Sequence, residues 1–181
     1  PFLMPDIQKG AERLITAIIK REDICLYGDY DADGITSTAL IVNYLKYFES
    51  RPEIVIPKRE DGYGLNIDAV KKISAKGIKL LICVDCGSSD VDEIDLANSL
   101  GLDVVVIDHH ELPQKLPKAY ALINPKRKDS RFPEKELAAC GVTFFFLWAL
   151  RRIMHNNGLL KVKINLKREL DIVALGTRAD M

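Results

Sequence analysis

Lys79-Leu-Leu-Ile-Cys-Val84 is a continuous apolar run, and the turn Asp85-Cys-Gly87 follows it at once. A strand that is apolar at every position, rather than at alternate ones, is typical of a parallel sheet covered by helices on both faces. The run therefore predicts a buried central strand. Similar segments predict four further strands, at Ile24–Gly28, Glu53–Pro57, Asp103–Ile107 and Tyr120–Ile123.

Segments with helical periodicity separate these strands. Asp6 is expected to cap the first helix, and Asn66 to cap a helix that Gly77 ends. Strands that alternate with helices indicate βαβ units. We therefore expect an α/β fold, a doubly wound and mainly parallel sheet of about five strands flanked by helices. The other predicted helices cover residues 35–49, 89–100, 135–155 and 166–175.

The composition is that of one globular domain. Of the 181 residues, 48% are hydrophobic, and 26 Lys and Arg balance 26 Asp and Glu. These values exclude wholesale disorder and a collagen-like chain. Without a run of about 18 uncharged apolar residues or a basic leader, the sequence predicts a cytoplasmic protein with no membrane partner. Because the chain starts at Pro1 and stops just after an acidic motif, we expect it to be a fragment of a longer protein.

Acidic and imidazole side chains follow three of the predicted strands. Parallel strands place their carboxyl ends at one edge of the sheet, where α/β proteins bind ligands. Each turn alone has an ordinary interpretation as turn chemistry or a helix cap. Two carboxylates about 4 Å apart, however, repel by roughly 4 kcal/mol at an effective dielectric constant near 20, so their convergence predicts a bound cation. The three segments are Asp29-Tyr-Asp31-Ala-Asp33, Asp85 and Asp108-His109-His110.

The kinds of donor atom indicate which metal would bind. Carboxylates joined by one or two imidazoles suit Mn²⁺ or Mg²⁺. A calcium loop of the EF-hand type is excluded because its twelfth position, counted from Asp29, is Leu40 rather than a glutamate. The candidate ligands are more numerous than one ion can bind while keeping coordination positions open for substrate. They favour a pair of ions sharing one carboxylate, an arrangement that serves displacement at phosphorus.

Four segments of the chain carry a family resemblance. Gly28–Ser37, Val84–Gly87, Asp108–His110 and Ala174–Asp180 resemble, in order, the four motifs of the DHH phosphoesterase superfamily. The resemblance implies a DHH catalytic domain over residues 1–181, truncated before a C-terminal substrate-binding domain. Three further segments resemble more closely the RecJ family of single-stranded-DNA-specific exonucleases, at residues 62–66, 124–126 and 140–142.

The resemblance also implies two divalent cations, Mn²⁺ preferred or Mg²⁺. Asp31 would bind the first ion and Asp33 the second, with Asp85 shared by both. Asp29 is a further candidate, because Tyr27 stands where small-molecule members of the superfamily carry a metal-binding histidine; water is the alternative ligand there. The implied metal ligands are Asp29, Asp31, Asp33, Asp85, Asp108, His109 and Asp180, the last two completing the second site.

The implied chemistry is phosphodiester hydrolysis by in-line attack of a hydroxide bridging the two metals. His110 would contact the scissile phosphate, and Asp108 would either support the site or bind a metal. The implied catalytic residues are Asp85, Asp108, His109 and His110.

Residues that could bind substrate form a second set. Tyr63 could stack on a base, and the basic segments 113–135 and 151–168 could follow a phosphate backbone. Each basic segment is equally well an ordinary solvated surface. The candidate substrate contacts are His110, Lys58, Arg59, Tyr63 and Asn124.

The resemblance thus implies an exonuclease that hydrolyses single-stranded DNA from 5′ to 3′ into mononucleotides. Its implied setting is DNA repair and recombination, with single-stranded DNA and repair or replication proteins as partners. One alternative is a DHH phosphatase for oligoribonucleotides, cyclic dinucleotides or pyrophosphate. Another is a catalytically inactive relative that serves as a replication scaffold, which the intact acidic motifs disfavour.

Overall fold

Five parallel strands form the centre of the molecule, in the order β2-β1-β3-β4-β5. The computed structural model describes residues 1–180, apart from the side chain of Asp61. The chain runs from β1 outward to β2 and then returns to the other side of β1 for β3, so a topological switch point lies between β1 and β3. The predicted fold class is confirmed. The strands are β1 (Ile24–Gly28), β2 (Glu53–Val55), β3 (Leu80–Val84), β4 (Asp103–Ile107) and β5 (Ala121–Ile123).

Helices cover both faces of the sheet, which explains why the central strands are apolar at every position. On one face α1, α2 and α5 pack over residues such as Leu26, Ile82 and Val105; on the other, α3 and α4 pack over Tyr27 and Val106. Within residues 1–180, every helix falls short of the length or apolar character that crossing a bilayer requires. The helices are α1 (Ile7–Lys20), α2 (Ala32–Lys46), α3 (Ile67–Ala75), α4 (Val91–Ser99), α5 (Ala139–Asn156) and α6 (Leu170–Ala179).

Three predicted helices differ from the observed ones by three residues or more at an end, or divide into two elements. The helix predicted at 35–49 begins three residues earlier, because Asp31 Oδ1 accepts a hydrogen bond from Gly34 N and caps it. The helix predicted at 135–155 begins only at Ala139. The segment predicted as a helix at 166–175 divides into a 3₁₀ turn at Leu166–Glu169 and α6.

Asp6 precedes α1 as predicted, but its side chain does not cap the helix. Asp6 Oδ2 instead accepts hydrogen bonds from Leu122 N at 3.2 Å and from Arg127 Nη1 at 2.6 Å. The carboxylate therefore ties the start of α1 to β5, and the predicted cap is wrong.

Candidate metal and phosphoester site

The three central strands end in register. Gly28 is paired with Val84, and Val84 with Ile107, so the residues that follow them start from one row of the sheet. The backbone ladder continues for one more step, since Asp85 N donates to Ile107 O at 3.0 Å. Because of this register, the side chains of Asp29, Asp85 and the Asp108–His110 segment converge at the carboxyl edge, next to the switch point.

Asp85 lies at the middle of this edge in a strained conformation. Its φ is +62°, a left-handed value that costs a residue with a Cβ roughly 1 kcal/mol and that clusters at functional sites. Only 1% of the residue is exposed. Burial, followed by the neighbouring Asp33 and Asp31 carboxylates, raises the pKa of Asp85 to about 7, although His109 opposes the shift.

Donor atoms gather in three overlapping groups around Asp85. Within each group, the potential ligand atoms all lie within 4.8 Å of one another. Asp85 belongs to two of the groups and so does His109, which is the pattern expected of two neighbouring cations with a shared carboxylate. The groups are Asp29–Asp31–Asp85, Asp33–His109–Asp180 and Asp85–His109–His110.

Buried donor atoms without hydrogen-bond partners fit a cation. Among the described residues, Asp29 Oδ1, Asp85 Oδ1 and His109 Nε2 are buried and accept or donate no hydrogen bond. His109 Nε2 lies 3.3 Å from Asp85 Oδ1, but the pair lacks hydrogen-bonding geometry. An unpaired buried polar atom costs about 1–3 kcal/mol, and coordination to a divalent ion would remove that cost.

Asp33 is held in place by the N-terminus of α5, a contact that the sequence analysis missed. Its two carboxylate oxygens accept hydrogen bonds from Ala139 N at 2.6 Å and from Cys140 N at 2.8 Å. The carboxylate thus lies at the N-terminus of α5, the end of a helix at which an acidic side chain is favourably placed. The segment Cys140-Gly-Val142 was noted for its resemblance alone; nothing in its residue types indicated this pairing.

Asp108 is a buried residue whose carboxylate accepts hydrogen bonds from neighbouring backbone amides at this edge of the sheet. The residue is fully buried, and its Oδ1 accepts from His109 N at 2.8 Å while its Oδ2 accepts from Ser88 N at 3.0 Å. Burial alone would raise the pKa of Asp108, but hydrogen bonds from His110, Ser88 and His109 outweigh burial and lower it to about 2. Asp108 belongs to none of the three donor groups found among the described residues, so its role as a metal ligand stays a prediction.

His110 and His109 differ in their surroundings. His110 Nδ1 lies 2.8 Å from Asp108 Oδ1, and this hydrogen bond, opposed by burial, raises the pKa of His110 to about 9. The side chain is 42% exposed, whereas that of His109 is 12% exposed. His109 Nδ1 lies 3.9 Å from Asp180 Oδ2, at the end of α6. His110 therefore faces outward, and His109 lies among the carboxylates.

The candidate substrate residues divide between surface and core. Tyr63 and the exposed Lys58 and Arg59 lie at the surface, with the Arg59 guanidinium 5.2 Å from the centre of the Tyr30 ring. Asn124 is fully buried; its Nδ2 donates to Ser88 Oγ at 3.1 Å and to the His110 carbonyl at 2.9 Å. The structure thus does not bring Asn124 to the open face, where it was expected to meet substrate.

Comparison with known proteins places the chain in a family. The model of the DHH family, N-terminal domain, matches residues 23–177. The single-stranded-DNA-specific exonuclease RecJ of Bacillus subtilis is 40% identical over 182 residues, covering 100% of this chain and 22% of that protein. The protein of the same name from Escherichia coli is 41% identical over 181 residues, covering 97% of this chain and 31% of that protein.

Solved structures share the fold and the arrangement of its elements. A crystal structure of exonuclease RecJ bound to manganese superposes with a TM-score of 0.84 at 29% identity, over 98% of this chain and 44% of that one. RecJ from Thermus thermophilus in complex with Mn²⁺ gives a TM-score of 0.78 at 29% identity, over 98% and 24% of the two chains. The chain spans about a fifth to a third of the length of the curated relatives it matches. With the four motifs in order on this fold, the chain belongs to the DHH family.

Proposed function

We propose that this chain is the catalytic domain of a metal-dependent exonuclease that hydrolyses single-stranded DNA from its 5′ end into mononucleotides. The observation that carries the proposal is the convergence of donor groups around Asp85, with buried donor atoms that have no protein partner. The curated relatives that match this chain are named as single-stranded-DNA-specific exonucleases. Because the chain covers only part of those relatives, we propose that a further substrate-binding domain and partners from DNA repair belong to the whole protein. A cytoplasmic location is part of the same proposal.

The donor atoms at this edge would hold two divalent cations, Mn²⁺ or Mg²⁺. Asp29 and Asp31 would serve one ion, and Asp33, His109 and Asp180 the other, with Asp85 between them. When bound, such cations lower the pKa of water and stabilise negative charge on phosphate oxygens. The 4.8 Å grouping of these oxygen and nitrogen atoms supports the assignment.

The remaining residues would bind and orient the phosphodiester. His110 belongs to the Asp85–His109–His110 donor group, but its Nδ1 is hydrogen-bonded to Asp108 and its side chain is partly exposed, so its Nε2 would be available to a nonbridging phosphate oxygen. Lys58 and Arg59 are exposed on the segment after β2, where their positive charges would attract the phosphate backbone of single-stranded DNA. Asp108 would keep the two histidines in position through its hydrogen bonds to their backbone amides.

The test is product analysis with the full-length protein and Mn²⁺. Single-stranded DNA blocked at the 5′ or the 3′ end is compared with duplex DNA, pyrophosphate and a dinucleotide as substrates. We expect mononucleotide release that a 5′ block suppresses and a 3′ block does not. Preferential turnover of pyrophosphate or of the dinucleotide would contradict the proposal and support the phosphatase alternative.

A further inference from the structure

A tight turn at residues 62–66 connects the surface near β2 with the candidate site. Gly62 and Gly64 flank Tyr63 and have φ of +85° and +91°, values that favour glycine. A Cβ added to Gly64 would lie 2.7 Å from Asp90 Oδ1. The turn is therefore closely packed against Asp90, and its shape determines where the Tyr63 side chain points.

Two buried or partly buried side chains hold the turn from below. Tyr27 Oη donates a hydrogen bond to the Gly64 carbonyl at 3.0 Å. Asp90 Oδ2 accepts one from Leu65 N at 2.7 Å. Tyr27 is fully buried on the face of the sheet covered by α3 and α4, and its hydroxyl supports the turn from that side.

The Tyr63 hydroxyl contacts the site itself. It lies 3.1 Å from the Asp85 carbonyl oxygen and 2.9 Å from His110 Nδ1. Because a carbonyl can only accept, the hydroxyl proton goes to Asp85 O, and the Tyr63 oxygen then accepts from His110 Nδ1–H. The Asp108 carboxylate, 2.8 Å from the same nitrogen, also accepts. Both contacts therefore require the proton on Nδ1.

This arrangement fixes which nitrogen of His110 is available. Nδ1 is engaged by Tyr63 and Asp108, while Nε2 makes no hydrogen bond among the described residues and lies on a side chain that is 42% exposed. Metal binding through Nδ1 would require the hydrogen bonds from this nitrogen to Tyr63 and to Asp108 to break. His110 is thus arranged to contact a ligand through Nε2.

We propose that Tyr27 and Asp90 are positioning residues, which hold the turn so that Tyr63 fixes the His110 imidazole with Nε2 directed at the substrate phosphate. The inference rests on the proposed function for the identity of the substrate, but the geometry of His110 can be measured without it. It assigns Tyr63 a hydrogen-bonding role in addition to the stacking role expected from the sequence.

Kinetic comparison of matched variants tests the proposal on the full-length protein. Tyr27→Phe and Asp90→Ala should lower kcat on single-stranded DNA roughly 10-fold with KM changed less than about 2-fold, because a misplaced contact weakens the reacting geometry more than binding. Asp90→Asn keeps an acceptor oxygen and should restore nearly all of kcat. Tyr44→Phe is the control, since it removes another buried hydroxyl, one that lies against Met154 Sδ away from the site.

Imidazole ¹⁵N spectra supply a readout that does not need activity. The chain has three histidines, and His155 at the end of α5 is an internal control. In the Mg²⁺-loaded protein, Nδ1 of His110 should be protonated, and Tyr63→Phe and Tyr27→Phe should shift the His110 signals while those of His155 are unchanged. If one variant fails to fold, the Asp90→Ala and Asp90→Asn pair still decides the question.

Several results would overturn the proposal. Unchanged kcat in Tyr27→Phe, a rise in KM alone, or equal loss in Asp90→Asn and Asp90→Ala would each contradict positioning by hydrogen bonds. An unprotonated or metal-bound Nδ1 in the wild-type protein would do the same. Wild-type protein that is inactive on DNA but shows the expected His110 spectra would refute the proposed function and leave this inference standing.

Discussion

The Asp33 carboxylate accepts a hydrogen bond from Cys140 N at 2.8 Å, which joins the first motif to the N-terminus of α5. Its other oxygen accepts from the neighbouring amide of Ala139 at 2.6 Å. One side chain thus fixes where α5 begins and is also a candidate metal ligand. A residue with both roles should affect stability in the absence of metal.

Asp33→Asn should destabilise the metal-free protein by about 1–3 kcal/mol, because an amide nitrogen cannot accept from a backbone N–H and one buried donor is left unpaired. Urea denaturation in EDTA measures the free energy of unfolding. Asp31→Asn is the control, since its Oδ1 can still accept from Gly34 N. Equal stability of the Asp33 variant and the wild type would show that the contact with α5 contributes little.

Asp85→Asn should have the opposite effect on the metal-free protein. Asp85 Oδ1 is buried with no hydrogen-bond partner, so removing the charge should raise the free energy of unfolding by about 1–3 kcal/mol. The same substitution should abolish Mn²⁺ binding at both metal sites. It should also abolish hydrolysis. Thermal unfolding with and without Mn²⁺ measures both the stability of the metal-free variant and its metal binding. A Mn²⁺-dependent rise in Tm that persists in the variant would contradict the assignment of Asp85 as the shared ligand.

Gly176→Ala should weaken metal binding although Gly176 is not itself a candidate ligand. A Cβ there would lie 2.3 Å from Thr36 Oγ1 and 2.7 Å from Cys140 Sγ, so α6 must move away from α2 and α5. Asp180 follows α6 directly and would move with it. We expect about a 10-fold loss of Mn²⁺ affinity by calorimetry, by analogy with the loss of supporting contacts at metal sites.

Leu175→Ala serves as the control for that substitution, because Leu175 lies on the same helix and is 62% exposed. Its affinity for Mn²⁺ should match the wild type. Equal affinity in both variants would mean that the position of α6 does not determine that of Asp180.

Asp90 should make stability depend on pH. Burial raises the pKa of Asp90 to about 6 from 3.8, so between these values the folded protein binds more protons than the unfolded chain and stability falls as pH rises. Between pH 5 and pH 7 the loss from this group should be about 1 kcal/mol. The difference in free energy of unfolding between wild type and Asp90→Asn, measured across this range, isolates the effect; a constant difference would contradict the raised pKa.

The strands were predictable because a strand that is buried on both faces of the sheet is apolar at nearly every position, and this pattern can be read from the local sequence. Ile24–Gly28 and Asp103–Ile107 are strands with the predicted bounds, and β3 differs from its prediction only by omitting Lys79. Helix ends were less predictable, since α5 starts where a carboxylate more than a hundred residues earlier accepts its first amides. Local periodicity carries no information about such a partner.

The sequence by itself determined that acidic residues follow three of the parallel strands, and period and spacing suffice to place such residues at one edge of a sheet. Only the tertiary structure decided how each one is used. Asn124 is buried beneath His110, away from the open face, and Asp108 accepts hydrogen bonds from the backbone of the histidines. Asp180 lies near His109 only because α6 packs against α2 and α5. No local sequence pattern specifies that packing, since it depends on contacts between whole elements that are distant in the chain.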